Sequence, residues 1–438
     1  MPEVGWVDRS IGDCLNTSFA GEWGSEPAPG NAIVLRATDI DNDGHVVGAG
    51  AIRSIPNSKL CAKRLHQGDI LLEGSGGGPD KPVGRVALFD ASAHSSPAVC
   101  SNFFKTLRPA PHVVHDRFLW RKLGWFYRQP ALLALQQQTT GIINLKFAEY
   151  LCVRISLPVD VAEQVKIAEV LDTLDTTIRQ TEAIIDKLKQ VKQGLLHDLL
   201  TRGIADNGEL RPPQSEAPHL YKESALGWIP STWNARPLRD FGAFMNGLNK
   251  PKQAFGHGTK FVNISDVYAD YMDTSSLGRV EATAGELVRY QLAPGDIVLD
   301  RSSVKLAGVG YPSVFEGDIE QVVFCGFIIR LRLTDATATI PRYLCLQMRA
   351  ARFRNEVFKV ATGGANININ QASLNQLVAV MPVPAEQRGF IELERSADDR
   401  LQSESALHAK LLRQKAGLMD DLLTGRVRVT PLLLGAPA

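Results

Sequence analysis

The chain of 438 residues lacks the spacings that would build a metal or redox centre. Its six cysteines, Cys14, Cys61, Cys100, Cys152, Cys325 and Cys345, are scattered, and no two stand at CxxC spacing. Structural zinc takes ligands paired a few residues apart, so no metal is expected. Scattered thiols in a chain of this size read as reduced, and a cytoplasmic location is expected. The nine histidines include no HExxH. His112 and His115, the closest pair, read as loop or surface residues, and His197 suits the end of a helix, where a cation meets the dipole. The start, Met1-Pro2-Glu3-Val4-Gly5-Trp6, has no cationic stretch ahead of an apolar core, so no signal peptide is expected. No run of about 18 apolar residues occurs, so no membrane span is expected. An excess of either charge is also missing: 48 Lys and Arg stand against 47 Asp and Glu, a net +1. That balance excludes a polybasic or polyacidic tail. It leaves nucleic-acid binding open, because a footprint on phosphates depends on local clustering.

Catalytic signatures are missing too. No Gly-rich loop ends in Lys-Ser/Thr, so a nucleotide-hydrolysing phosphate loop is excluded. Gly74-Ser75-Gly76-Gly77-Gly78 is followed by Pro79 and reads as a tight turn, not a GxGxxG cradle. No Asn/Asp-Pro-Pro-aromatic tetrapeptide of an amino-methyltransferase occurs. Pro79-Asp80 with Lys81 hints at a nuclease cluster, but no Asp/Glu-x-Lys follows to complete it.

What the chain does contain is itself, twice. At an offset of 223, Glu163-Gln164 becomes Glu386-Gln387, Lys192 becomes Lys415, and Asp198-Leu199-Leu200-Thr201 becomes Asp421-Leu422-Leu423-Thr424. At an offset of 227, Gly68-Asp69-Ile70-Leu71-Leu72 becomes Gly295-Asp296-Ile297-Val298-Leu299, and Asp39 becomes Asp266. Short loop insertions account for the shift between the two offsets. Each copy begins with apolar runs cut by Gly-Asp turns, the pattern of a mainly β domain. Each then continues as one long helix. Leu171, Leu174, Ile178, Thr181, Ile185, Leu188, Lys192, Leu195 and Leu199 alternate by three and four, a coiled-coil seam. The second copy repeats it more weakly as Glu394, Ala397, Leu401, Glu404, His408, Leu411, Lys415, Leu418 and Leu422. About 37 residues per helix gives roughly 55 Å. Pro158 and Pro384 are read as matching residues that close the strand ahead of each helix.

The predicted fold is therefore α+β: two mainly β domains joined by two long antiparallel coiled-coil helices with an internal pseudo-two-fold repeat. The boundaries read as a first domain over 1–157, a helix over 158–203, a polar linker over 204–225 with a turn at 206–209 and an extended, exposed stretch at 211–218, a second domain over 226–383, a second helix over 384–426 and a tail over 427–438.

Basic residues gather in both domains. Lys105, Arg108, Arg117, Arg121, Lys122 and Arg128 face Asp116 alone, with Phe118, Trp120, Trp125, Phe126 and Tyr127 between them. Arg342, Arg349, Arg352, Arg354 and Lys359 face Glu356, with Tyr343, Phe353 and Phe358. Such clusters suit a phosphate backbone; the same pattern also describes the solvated basic face of an amphipathic helix. Lys81 and Arg85 follow the glycine turn. Asn246, Asn249, Lys250 and Lys252 occupy a turn-rich stretch, and Arg301 and Lys305 follow the second Gly-Asp strand. Asn366, Asn368 and Asn370 alternate along an extended segment. Amides and guanidiniums are the groups that read base edges, and alternating Asn also occurs in ordinary turns and edge strands.

These features together resemble the specificity subunit of type I restriction–modification systems. Leu226-Gly227-Trp228-Ile229-Pro230 with Trp233 is similar to the opening of that family's target-recognition domain, and Val4-Gly5-Trp6 is a partial form of it. The two Glu-Gln pairs resemble its helix starts. Lys192-Gln193-Gly194-Leu195-Leu196-His197-Asp198-Leu199-Leu200-Thr201 and Lys415-Ala416-Gly417-Leu418-Met419-Asp420-Asp421-Leu422-Leu423-Thr424-Gly425 resemble its helix ends. The resemblance implies one domain per half of a split, asymmetric double-stranded DNA target, with the helices as spacer. It implies two methyltransferase subunits carrying S-adenosylmethionine, and a motor-nuclease subunit using ATP and Mg. It implies no catalytic residues in this chain. The rival readings are a single-chain methyltransferase or nuclease with a diverged site, and a coiled-coil adaptor with no role on DNA.

Overall fold

A computed structural model describes residues 5–433 except 27–29, 78–81, 140, 269–271, 273, 318–320 and 365. The chain divides into two compact units. One comprises Met1–Ala183 with Ser405–Ala438, and the other Ile184–Glu404. Each unit therefore combines one β domain, the start of the long helix that follows it, and the end of the other long helix.

The two domains share one topology. In the first, a four-stranded antiparallel sheet runs in the order Leu15–Ala20, Phe104–Pro109, Ile70–Glu73, Val86–Leu88. In the second the order is Gly242–Asn246, Ile328–Leu333, Ile297–Asp300, Pro312–Val314. A three-stranded sheet accompanies each, with one antiparallel and one parallel pairing: Ala51–Arg53, Ala32–Leu35, Ala98–Cys100 in the first, and Gly278–Val280, Phe255–Val262, Val322–Phe324 in the second.

The Gly-Asp turns explain themselves at atomic level. Gly68 and Gly295 take φ of +81° and +90°, which a side chain would strain. The next residue, Asp69 or Asp296, is buried and accepts the backbone N–H three residues upstream at 2.7 and 2.8 Å. Its two oxygens also take a guanidinium fork, from Arg108 at 2.8 and 2.8 Å and from Arg332 at 2.8 and 2.6 Å. A bidentate, charge-assisted pair compensates the carboxylate for lost water. It ties the central strand to its neighbour.

The long helices span Val161–Thr201 and Pro384–Thr424, 41 residues each. That is about 61 Å, slightly longer than the seam alone indicates. Every seam position is buried or half-buried, from Leu171, Leu174, Ile178, Ile185, Leu188, Leu195 and Leu199 on one helix to Leu401, Leu411, Leu418 and Leu422 on the other. The helix ends also enter the domain cores. Ile167, Leu171, Met419, Leu422 and Leu423 join Trp6, Phe118 and Leu119 in the first unit. Leu199, Leu200, Phe390 and Ile391 join Tyr343 and Leu344 in the second. Among the described residues, no helix is long and apolar enough to cross a membrane.

Three sequence readings need correction. Trp6 pairs with Pro158 in the register of Trp6–Ser10 on Arg154–Pro158, whereas Asn234 pairs with Met381. Trp6 thus corresponds to Trp233, both buried, and not to Trp228, which is half exposed. Pro158 likewise corresponds to Pro382, since each carbonyl accepts the amide of the following helix's glutamine, at 2.8 and 2.9 Å. Pro384 instead opens the second helix. The segment 204–225 is not a free linker. Tyr221–Ser224 forms a hairpin with Gly227–Pro230, and Arg211 is buried against Glu386.

Candidate nucleic-acid interface

The Glu-Gln pairs at the helix starts anchor the domains. Gln164 and Gln387 are fully buried. Gln164 Oε1 accepts from His115 N at 2.8 Å, and its Nε2 donates to the carbonyls of Pro158 and Val113. Gln387 repeats the set with Ile340 N at 2.8 Å and the carbonyls of Pro382 and Ala338. Glu163 takes a two-bond fork from Arg428 at 2.6 and 2.6 Å. Glu386 takes one from Arg211 at 2.5 and 3.1 Å and also accepts from Trp233 Nε1. Each arginine comes from the segment after a helix end and fastens that end to the start of the other helix within the same unit.

Part of each basic cluster is spent on the same task. Arg117 and Arg121 both bond Asp172 at 2.6 Å, and Arg121 also reaches Asp175, which Lys415 binds at 2.8 Å. Burial works against ionising Asp175, but Arg121 and Lys415 hold its carboxyl below the usual range. Lys122 is buried, donates to the Leu423 carbonyl and lies 4.9 Å from the Trp125 ring. Burial lowers its ammonium to about 8. In the second unit Arg342 pairs with Glu394 inside the protein. Arg352 donates to the Leu200 carbonyl and to Gln347. Arg349 donates to the Pro312 carbonyl at 3.0 Å across the Tyr311 ring. Leu200 and Leu423 are equivalent helix-end residues, so one cation from each domain caps each helix end. A helix C-terminus leaves carbonyls unsatisfied and attracts positive charge. These residues fit the amphipathic-helix reading, with a long helix in place of solvent.

Other candidates are also committed. Arg85 forks onto Glu73 at 3.0 and 3.0 Å, and Lys250 binds Glu286 at 2.8 Å. Lys105 is half-buried, 5.7 Å from the Phe147 ring, and Asn246 is half-buried in its strand. Asn370 caps the helix Gln371–Gln376 by accepting from Ser373 N at 2.8 Å. Lys81 lies outside the described residues, as does the Pro79-Asp80 hint.

The remainder converges on a small third sheet present in both domains. In the second it orders Ser302–Ser303, Ile367–Asn368 and Thr362–Gly363, with Ser302 opposite Asn368. In the first it orders Ser75–Gly77, Ile142–Leu145 and Gln136–Thr139, with Ser75 opposite Asn144. Arg301, Asn366 and Asn368 lie on or beside the second domain's sheet, and Lys305 lies on the loop that follows Ser302–Ser303. Asn366, Asn368 and Lys305 are exposed, and Asn368 Nδ2 donates to the Asn366 carbonyl at 3.1 Å. Arg354, assigned by sequence to the basic cluster, instead grips the Lys305 loop through the carbonyls of Ala307, Val309 and Gly310 at 3.1, 2.6 and 2.9 Å. Lys252 and Asn249 are exposed as well, and Asn249 lies directly over Gly326.

Sequence reasoning missed one residue per domain here. Phe103 is 48% exposed and Phe327 57%. Phe103 O accepts from Gly74 N at 2.7 Å and Ser75 N at 3.2 Å, and Phe327 O accepts from Arg301 N at 2.7 Å. Each is followed by a buried strand residue, Phe104 or Ile328, so alternation gave no sign that it points outward.

The family described as type I restriction modification DNA specificity domain matches residues 3–190. The chain is 21% identical over 336 residues to the type I restriction enzyme MjaVIII specificity subunit of Methanocaldococcus jannaschii, covering 76% of this chain and 75% of that one. It is 28% identical over 260 residues to the type I restriction enzyme EcoKI specificity subunit of Escherichia coli, covering 57% and 52%. It thus spans about half the length of the latter. A solved type I restriction–modification S subunit from M. genitalium superposes with a TM-score of 0.52 at 15% identity, covering 95% of this chain and 96% of that one. A chain from a structure of type I R-M complex assembly and conformational transition gives 0.60 at 15% identity, covering 98% and 100%. At that identity the structures establish the fold.

Proposed function

We propose that the chain is a specificity subunit of a type I restriction–modification enzyme and selects its DNA target, one half-site per domain. The observation that carries this reading is the duplicated small sheet. Two copies of one scaffold present different side chains at equivalent places: Gly74 where the other has Arg301, and Ile142 where the other has Asn366. A shared frame with different surface groups suits an asymmetric, bipartite target. Arginine and amide side chains suit base edges in the major groove, and Lys252 and Lys305 suit phosphates.

On this reading the chain does no chemistry itself. Methyltransferase subunits, two per chain, supply S-adenosylmethionine and modify adenine, and a motor-nuclease subunit supplies ATP and Mg chemistry for restriction. The assembly works in the cytoplasm, and the paired helices set the spacing between half-sites. The rival is a single-chain methyltransferase or nuclease.

Methylome sequencing of cells with and without this chain, in the presence of its methyltransferase, tests the proposal. Loss of one split adenine-methylation motif is the expected result. Methylation or cleavage of DNA by the purified chain alone refutes it.

A further inference from the structure

A single exposed phenylalanine on a protein surface needs no explanation. Phe103 and Phe327 are different, because both project from the same turn of the duplicated scaffold, while Gly74 and Ile142 of one domain stand where the other has Arg301 and Asn366. Each turn joins the strand of the parallel pair to a strand of the four-stranded sheet. Each is held by its own carbonyl to the residue that leads into the small sheet. In the second domain Arg301 Nη1 also donates to the Gly326 carbonyl at 3.4 Å, and Asn249 covers Gly326, where a Cβ would meet its Oδ1 at 1.9 Å. A side chain at Gly326 would have to displace that amide. The Phe327 ring therefore stands on a turn fixed from two sides, with Arg301 and Asn249 beside it and Asn368 two strands away.

Resting on the target-selection reading above, we infer that Phe103 and Phe327 each read a thymine C5 methyl in the major groove of their own half-site. In the second domain the neighbouring Arg301 and Asn368 decide the groove; the first domain has Gly74 in place of Arg301 but keeps Asn144 opposite Ser75, and it follows by the shared scaffold. Arginine forks onto guanine O6 and N7, and asparagine onto adenine N6 and N7, both on the major-groove edge. An apolar ring presented with them meets the one apolar feature of that edge, the thymine methyl. Divergence of the polar neighbours then changes which bases flank the thymine, while the phenylalanine keeps a thymine in each half.

The test uses the chain bound to its own methyltransferase, and duplexes of its methylation target in which each thymine is replaced in turn by uracil. That exchange removes one methyl group and leaves base pairing intact. In each half-site one uracil is expected to weaken binding about four-fold, the worth of one buried methyl group. Phe327→Ala is expected to bind the thymine and uracil duplexes of one half equally while still distinguishing them in the other half. Phe103→Ala gives the converse. Indifference of the unaltered chain to every uracil overturns the inference, as does a half-site without thymine or a variant that still distinguishes the two duplexes. A general loss of affinity in the variants, with the uracil effect intact, also overturns it and makes the rings wedges between base pairs. Absence of any split-site binding by the unaltered complex is a separate outcome, and it removes the target-selection reading itself.

Discussion

Lys122→Met separates the structural account of the basic cluster from the DNA account. Lys122 is only 3% exposed, and its ammonium donates to a helix-end carbonyl, that of Leu423. Burial lowers it from 10.5 to about 8, with Asp8 opposing weakly. Between these values the unfolded chain holds a proton that the folded chain has released, so stability rises with pH across that window. Each pH unit is worth at most about 1.4 kcal/mol, giving about 3 kcal/mol between pH 8 and 10.5. Methionine keeps the length of the side chain and removes the titration. The difference in unfolding free energy between the two proteins is therefore expected to shift by about 3 kcal/mol over this range, in favour of the lysine form as pH rises. Urea denaturation of the full chain at a series of pH values measures it, other alkaline titrations cancelling in the difference. The second arm is the salt dependence of DNA binding. A lysine on a phosphate contributes about 0.9 to the slope of log affinity against log salt. An unchanged slope in Lys122→Met is expected. A flat stability difference, or a slope reduced by about one, refutes the buried placement.

Removing Arg121 leaves Asp175 buried with Lys415 as its remaining partner and Asp172 with Arg117. Arg121→Ala is expected to cost about 3–5 kcal/mol in urea unfolding, the range for a broken buried pair. Gln387→Ala orphans the Ile340 N–H and two carbonyls and is expected to cost about 3 kcal/mol, with Gln164→Ala similar. Lys252→Ala and Lys305→Ala alter exposed side chains, so melting is expected to stay unchanged while each lowers the salt slope of DNA binding by about 0.9.

The repeat and the seam were legible because periodicity survives in a linear string. Gly68-Asp69 and Gly295-Asp296 recur because a positive φ and a buried carboxylate are both needed at that turn. Their guanidinium partners, Arg108 and Arg332, lie on another strand, and no local pattern marks them. The basic clusters stayed ambiguous in sequence for a physical reason. Arg117, Arg121 and Arg352 have the composition of a phosphate-binding face, yet their counter-charges are Asp172, Asp175 and a helix-end carbonyl, more than fifty residues distant in sequence. Sequence shows a cation and not its partner. The exposed phenylalanines were hidden by the opposite effect, since apolar residues beside a buried strand read as core.

The seam lysines and the aspartates that pair with them follow the same symmetry as the folds and lead to a test of the spacer. Asp175 and Lys192 become Asp398 and Lys415 at the offset of 223. Asp175 pairs with Lys415 in one unit, and Lys192 with Asp398 in the other. A polar residue in an apolar seam fixes register, because sliding strands it among leucines. Seven residues return a coiled-coil position to the same face. A matched heptad inserted into both helices after Ile184 and Glu404 therefore preserves each pair and lengthens each helix by about 10 Å. The methylated motif is then expected to tolerate a longer gap between half-sites, by no more than about three base pairs at 3.4 Å each. A heptad in one helix alone shifts one seam against the other, and methylation is expected to fail. An unchanged gap after the matched insertion, with methylation intact, refutes the spacer role.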